Sequence, residues 1–188
     1  MTHLSITDYH ASLLKLPIKK GVIQTDINGW LQPKEAHYLY ECAYESVNIL
    51  ELGPYHGLST SIMAKAKMES GNKGSITTVD VFEHNIQITK QNLEKIAPSV
   101  KISYNVDDAI NFCIEQNDLA MPIFYDMIFI DANHTYEWMK LLTSKVKLLA
   151  DGKMLFHDYY HRSTGVRQAV EELLGTPNKR VGSIGVYA

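Results

Sequence analysis

Several short apolar segments of this sequence are each followed by a side chain or glycine that could contribute to a ligand site. These residues are Glu51, Gly53, Asp80, Asp131 and Asp158. In an open parallel sheet, ligands bind beyond the carboxyl ends of the strands. If the apolar segments are parallel strands, these residues gather at one edge of the sheet. Polar residues commonly end strands, and this tendency alone could explain any one of the five residues. It explains the presence of all five less well.

The loop at residues 51–57 is the most informative of these stretches. Gly53 and Gly57 favour backbone conformations that other residues avoid, and they let a ligand approach the chain closely. A dinucleotide-binding loop would have the pattern G-x-G-x-x-G, which this loop lacks because Pro54 follows the first glycine. We therefore expect a ligand without a pyrophosphate. The Glu51 carboxylate could pair with a cationic amino group of such a ligand.

Asp80 adds a second binding signal, because it follows the β-branched segment at 75–79. A carboxylate in this position can accept hydrogen bonds from both hydroxyls of a ribose. Alone this signal is weak, since strands often end on Asp. Together with the glycine loop it predicts a nucleoside-type ligand.

The pattern around these residues alternates short apolar runs with longer segments of helical periodicity, which indicates βαβ units and a parallel sheet. We predict an α/β fold of Rossmann-like, doubly wound type, with a mostly parallel sheet between two helical layers. Gly152 is expected to end the helix predicted from Tyr136 to Leu149. The tail at 180–188 is expected to form one or two short strands, and the segment before residue 28 gives no clear prediction.

Length and composition favour a single domain over residues 1–188, with an N-terminal helical segment at 1–45 and a core at 46–188. The net charge of −3 and the scattered basic residues argue against a nucleic-acid partner. Cys42 and Cys113 are expected to be unpaired thiols in a reducing compartment. No signal peptide or membrane span is recognisable, so the prediction is cytoplasmic, without a membrane partner. The apolar and aromatic residues at 30–44 are compatible with a homodimer interface or with a helix that faces the core.

The chain resembles class I methyltransferases, most closely the small bacterial group known as methyltransferase family 24, which is related to sugar O-methyltransferases of macrolide biosynthesis. The resemblance covers roughly residues 30–188. It is carried by ILELGPYHGLST at 49–60, TVD at 78–80, FIDANHTYE at 129–137, LLADG at 148–152 and HDYY at 157–160, followed by GVRQAV at 165–170. It implies the class I methyltransferase fold and O-methylation of a small-molecule hydroxyl.

By position, the resemblance implies that S-adenosylmethionine is the cofactor. The residues implied for its methionine portion are Glu51, Gly53 and Gly57, with Pro54 and Tyr55 of the same loop and Ser59 and Thr60 at the start of the next helix. Asp80 is implied for the ribose hydroxyls, and Val81 and Phe82 for the adenine. Asp107 or Asp108 is implied for the adenine amino group, and Asp107 is preferred.

The resemblance also implies roles in catalysis. His134 corresponds to the proposed base of the sugar-methylating relatives, and His157 is a second candidate. A competing interpretation of His134 or Thr135 is a cap for the following helix. Asp131 would contact cofactor and acceptor, and Asp131 and Asp158 correspond to magnesium ligands of metal-dependent relatives. His157 stands where those relatives often have a carboxylate, which favours a softer metal or none.

Three rival functions differ in what they need. An NAD-dependent oxidoreductase would need the missing G-x-G-x-x-G and a substrate domain. A non-catalytic module would keep cofactor binding without methyl transfer. A cephalosporin-hydroxylase-like oxygenase would need a set of two histidines and a carboxylate, for which the sequence has no convincing spacing.

Overall fold

The computed structural model describes residues 8–161 and 165–188. Its helices are α1 Asp8–Leu13, α2 Pro33–Glu45, α3 Leu58–Ser70, α4 Glu83–Ile96, α5 Ala109–Asp118, α6 Tyr136–Val146 and α7 Val166–Leu174. Its strands are β1 Ile18–Lys19, β2 Val22–Ile23, β3 Ile49–Leu52, β4 Ser75–Asp80, β5 Lys101–Val106, β6 Tyr125–Ile130, β7 Ala150–Phe156, β8 Lys179–Val181 and β9 Ile184–Tyr187. None of the described helices is both long and apolar enough to cross a bilayer.

Seven strands form one sheet in the order β5-β4-β3-β6-β7-β9-β8. The neighbours from β5 to β7 are parallel, whereas β9 pairs antiparallel with β7 and with β8. The chain winds outward in both directions from the centre, so the strand order reverses between β3 and β6. Ligands of doubly wound sheets bind at such a switch point. The predicted Rossmann-like fold is therefore confirmed, and the C-terminal hairpin is complete.

Helices cover both faces of the sheet because successive strand residues point to opposite sides. Ile49 of β3 packs with the buried residues of α2, α3 and α4, and Leu50 and Leu52 pack with those of α5, α6 and α7. All four residues of β3 are buried, as expected for the central strand of such a sheet. Apolar residues of α2, Leu39 among them, face this core. Cys42 and Cys113 are buried free thiols.

Two expectations about the sixth helix and seventh strand were wrong. Helix α6 ends at Val146, before the expected Leu149, and Gly152 lies inside β7. A Cβ atom at Gly152 would lie 2.3 Å from the carbonyl oxygen of Asp126, next to an irregularity in the β6–β7 register. Glycine is needed there because the two backbones approach closely, a requirement that the sequence alone does not distinguish from a helix end.

Candidate active site

A cavity of about 430 Å³ opens at the carboxyl ends of β3, β4 and β6. This volume lies within the usual range of small-molecule sites. The predicted site residues that line it are Gly53, Tyr55, Asp80, Val81, Phe82, Asp107, Asp108 and Asp131. Pro54 and Ser59 line an adjoining crevice with Asp131. The strand ends therefore meet at one edge, as the sequence predicted.

The glycine loop is shaped by its contact with the β6 end of the sheet. Gly53 has a φ of 93°, and a Cβ atom there would lie 2.1 Å from the carbonyl oxygen of Asp131. Gly57 has a φ of 88°, and its Cβ atom would lie 2.9 Å from Cγ2 of Thr89. Both positions thus need glycine for packing within the protein, independently of any ligand.

Glu51 lies beneath this loop and is fully buried. Its carboxylate accepts hydrogen bonds from the hydroxyls of Ser59 at 2.5 Å, Thr60 at 2.6 Å and Thr78 at 3.0 Å. Burial raises the pKa of Glu51 to about 7, against the opposing effect of the three donors. Both carboxylate oxygens are thus engaged by the protein, and Ser59 and Thr60 bind Glu51.

Asp80 forms the side of the cavity at the end of β4. Its Oδ1 accepts a hydrogen bond from the backbone N–H of Phe82 at 2.9 Å, and the Asn85 amide lies 3.1 Å from both carboxylate oxygens. Asn85 also lines the cavity, although no strand-end pattern in the sequence indicates it. Val81 and Phe82 are each 57% exposed, so their apolar side chains are available to a ligand.

Asp107 and Asp108 follow β5 and have different surroundings. Oδ1 of Asp108 accepts hydrogen bonds from the backbone N–H groups of Ile110 at 2.8 Å and Asn111 at 3.3 Å. Asp108 is therefore the N-cap of α5, a role that satisfies amides left without helical partners. Asp107 lines the same cavity, and the preference for Asp107 over Asp108 stays a prediction.

Asp131, His134 and Asp158 form a cluster beside the cavity. His134 Nε2 lies 3.3 Å from Asp131 Oδ1 and 3.8 Å from Asp158 Oδ2. The hydrogen bond to Asp131 raises the pKa of His134, against the effect of burial. Thr135 occupies the N-cap position of α6 without a side-chain cap, and its N–H donates to Asn133 Oδ1 at 2.9 Å. The cap interpretation of His134 and Thr135 thus finds no support in these contacts.

His157 lies deeper, with only 5% of its surface exposed. Its Nδ1 is 3.2 Å from Asp131 Oδ1, and its Nε2 is 3.4 Å from Glu35 Oε2. Burial alone would lower the pKa of His157, but the charges and contacts of Asp131 and Glu35 raise it well above its ordinary value. Burial likewise opposes ionisation of Asp131, yet His157 and His134 hold the pKa of Asp131 well below its usual range. Both ring nitrogens of His157 face carboxylates, which favours a supporting role for this residue, and its role as a second candidate base stays a prediction.

Glu35 is the supporting residue that sequence reasoning missed. It lies in the first turn of α2 and is 1% exposed. Oε1 accepts hydrogen bonds from the N–H of Ser183 at 2.6 Å and from its hydroxyl at 2.9 Å, and Oε2 accepts from the N–H of Gln32 at 2.7 Å. The spacing of Gln32 and Glu35 is typical of a helix start. That signal could have located the cap, but not its contact with His157.

Four aromatic residues follow β6 and β7, namely Tyr136, Trp138, Tyr159 and Tyr160. Of these four, only Trp138 lines the cavity. Tyr136 donates a hydrogen bond to Glu172 at 2.6 Å, and the fully buried Tyr159 donates one to Glu171 at 2.9 Å. Tyr160 packs its ring against Tyr159. These three tyrosines thus have partners within the protein.

Comparisons with known proteins agree with the fold. Solved structures share the fold at low identity, among them the O-methyltransferase TomG from Streptomyces achromogenes, solved with SAM. It is 17% identical, with a TM-score of 0.62 over 89% of this chain and 82% of that chain. An O-methyltransferase from Bacillus cereus, solved with SAH, is 16% identical, with a TM-score of 0.60 over 91% and 79%.

A putative caffeoyl-CoA O-methyltransferase from Staphylococcus aureus is 24% identical, with a TM-score of 0.53 over 87% of this chain and 75% of that chain. At these identities the structures establish the fold alone. No curated protein matches the sequence. The model of the family Methyltransf_24, described as a methyltransferase domain, matches residues 50–159. This match spans more than half of the chain, from β3 to the end of β7, and the chain therefore belongs to methyltransferase family 24.

Proposed function

We propose that this protein transfers the methyl group of S-adenosylmethionine to a hydroxyl oxygen of a small molecule. The observation that carries the proposal is the position of the Asp131–His134–Asp158 cluster beside a cavity whose far wall carries Asp80. Such an arrangement provides a nucleoside site and a base next to each other. The TomG and Bacillus cereus O-methyltransferases, which share the fold, were solved with SAM and SAH.

In the proposed complex, Asp80 accepts hydrogen bonds from the ribose hydroxyls, and Asn85 keeps its carboxylate in place. The adenine packs against Val81 and Phe82, and Asp107 accepts a hydrogen bond from its amino group. Each of these residues lines the same cavity. The exposed apolar surface of Val81 and Phe82 supports this orientation, because an adenine ring would remove it from water.

The methionine portion then lies along the glycine loop toward Asp131. We propose that Glu51 supports this portion through Ser59 and Thr60, whose hydroxyls it holds at the start of α3. A direct contact between Glu51 and the methionine ammonium would require the release of one of these hydrogen bonds. Gly57 lets the chain turn into α3 with its φ of 88°.

The transfer forms a carbon–oxygen bond to the acceptor and breaks the bond between the methyl carbon and the sulfonium, which leaves S-adenosylhomocysteine. In the neutral imidazole Nε2–H donates to the Asp131 carboxylate, so the lone pair is on Nδ1, and His134 takes the hydroxyl proton through Nδ1 as the oxygen attacks. Asp131 holds the imidazole at 3.3 Å and stabilises the charge that it gains. His157 contacts both Asp131 and Glu35, and these contacts hold Asp131 in position. The protein thus orients the reactants and removes the proton.

The residues implied for magnesium do not fit that ion in this chain. Magnesium prefers oxygen ligands in near-octahedral geometry. Here the His134 imidazole lies 3.3 Å from Asp131 and 3.8 Å from Asp158, and the His157 imidazole lies 3.2 Å from Asp131. Imidazole nitrogens thus stand beside the two carboxylates, in a set with fewer oxygens than magnesium prefers. We therefore expect EDTA to leave turnover unchanged, and a loss of turnover that added magnesium restores would contradict this.

Calorimetric titration with S-adenosylmethionine and S-adenosylhomocysteine tests the cofactor. An ionic hydrogen bond contributes about 1.5–3 kcal/mol, so Asp80→Asn is expected to weaken binding about 10- to 100-fold. The exposed Asp118→Asn of α5 is the matched control and should bind normally. Failure of both ligands to bind would contradict the proposal, and saturable NADH binding would favour the oxidoreductase alternative.

Transfer of a radiolabelled methyl group to a panel of phenols, catechols and sugars tests the reaction. Incorporation into an oxygen acceptor that is lost in His134→Gln supports the proposed base. Cofactor binding without transfer to any hydroxyl, amine or thiol would instead support the non-catalytic alternative.

A further inference from the structure

Two histidines and a glutamate meet where α1 packs against α2. His10 comes from α1, and His37 and Glu41 lie one turn apart on α2. His10 Nε2 is 3.6 Å from Glu41 Oε1, and His37 Nδ1 is 3.7 Å from the same oxygen. One ligand atom from each residue lies within 4.8 Å of the others. None of the three lines the cavity of the candidate active site.

The spacing of these atoms is close to that of a tetrahedral metal site. Zinc binds imidazole nitrogen and carboxylate oxygen at about 2.0–2.2 Å, which places two such ligands roughly 3.4 Å apart. The two distances to Glu41 Oε1 exceed this value by only a few tenths of an ångström. The His10 and His37 rings are stacked, with centroids 3.7 Å apart, so one ring must turn for both lone pairs to meet at an ion. The His37 side chain is 23% exposed and has room to turn.

The surrounding carboxylates favour a bound cation. A neutral imidazole of His10 or His37 donates its lone pair to such an ion. Glu41 supplies one negative charge, and Glu69 of α3 supplies a second nearby, where its carboxylate accepts the Tyr40 hydroxyl at 2.5 Å. Two imidazoles and one carboxylate suit zinc or a similar transition metal better than magnesium.

We propose that His10, His37 and Glu41 bind one zinc-class divalent cation and that the bound ion fastens α1 to α2. Three protein ligands leave a fourth position for water, since the Glu41 side chain is 33% exposed. Because α1 has only six residues, it depends on such tertiary contacts for its stability. This site is separate from the proposed methyl transfer, and cofactor binding serves as an independent readout.

The experiment is a calorimetric titration of untagged, EDTA-treated protein with zinc chloride, together with thermal unfolding with and without the metal. We expect His37→Gln and Glu41→Gln each to lose one zinc per chain and the associated rise in Tm. The matched controls are His84→Gln, an exposed histidine of α4, and Glu45→Gln, an exposed glutamate of α2. Both controls should keep the zinc, and so should His134→Gln at the candidate active site.

The same zinc stoichiometry in wild type, His37→Gln and Glu41→Gln would overturn the proposal, as would the absence of saturable zinc binding. X-ray absorption of the zinc-loaded wild type tests the site without any substitution. We expect nitrogen and oxygen ligands at about 2.0–2.2 Å with imidazole scattering. A spectrum without two imidazoles would also overturn it.

Discussion

Replacement of Glu35 by Gln is expected to destabilise the fold far more than replacement of an exposed glutamate on the same helix. Glu35 is 1% exposed, and its carboxylate accepts three hydrogen bonds in addition to its contact with His157 at 3.4 Å. The removal of one partner from a buried ion pair costs about 3–5 kcal/mol. Asp131 still faces His157 at 3.2 Å in the variant. We therefore expect a loss of about 3 kcal/mol, at the lower end of that range.

Urea unfolding followed by far-ultraviolet circular dichroism measures this loss at pH 6. Glu45→Gln is the control, because Glu45 is 54% exposed and pairs with Lys153 at 3.0 Å on the surface of the same region. An exposed pair contributes about 0–1 kcal/mol, so the control should change little. Equal losses of unfolding free energy in Glu35→Gln and Glu45→Gln would refute the reasoning that charge at the buried position stabilises the fold.

The pH dependence provides a second check on the same pair. The pKa of His157 is raised in the folded state, so its contribution is fully present below the unfolded value of about 6.5 and is lost as pH rises through the folded pKa. Burial would raise the pKa of Glu35, but His157 and the N–H donors hold it below its usual value. Its contribution is present above the unfolded value and is lost as pH falls through the folded pKa. The difference in unfolding free energy between wild type and Glu35→Gln should thus be greatest near pH 5–6.5 and become smaller at lower and at higher pH.

Two further substitutions test the loop and the base. Gly71→Ala, with a φ of 69° and open space for the Cβ, should lower the unfolding free energy by about 1–2 kcal/mol, the cost of a left-handed backbone conformation. Gly53→Ala should lower it by more than this, because its φ is 93° and its Cβ would also lie 2.1 Å from a backbone oxygen. A similar loss at both sites in urea unfolding would contradict this reasoning. For His134, the base acts in its neutral form, so kcat/KM should rise with pH through a pKa above about 6.5. His134→Gln should abolish this rise and lower kcat about 10²- to 10⁴-fold, whereas an unchanged pH profile would exclude His134 as the base.

Local sequence patterns were sufficient to predict the architecture. The apolar run at 127–130 and the β-branched run at 75–79 are typical of buried strands, and they coincide with β6 and β4. Because parallel strands present their carboxyl ends at one edge, the gathering of Asp80, Asp131 and Asp158 follows from strand assignment alone. The roles proposed for these residues in binding and catalysis stay predictions.

Only the tertiary structure decided which polar groups are available at that edge. The Glu51 carboxylate accepts hydrogen bonds from hydroxyls of α3 and β4, and the Asp108 carboxylate caps α5. From the sequence alone, both carboxylates would be expected to be available to a ligand. The contact between Glu35 and His157 joins residues 122 positions apart, and Ser183 lies 148 positions from Glu35. Periodicity and spacing describe neighbours along an element. Contacts across such separations depend on how α2, β7 and the C-terminal hairpin pack together, and burial then determines the charge that each group carries.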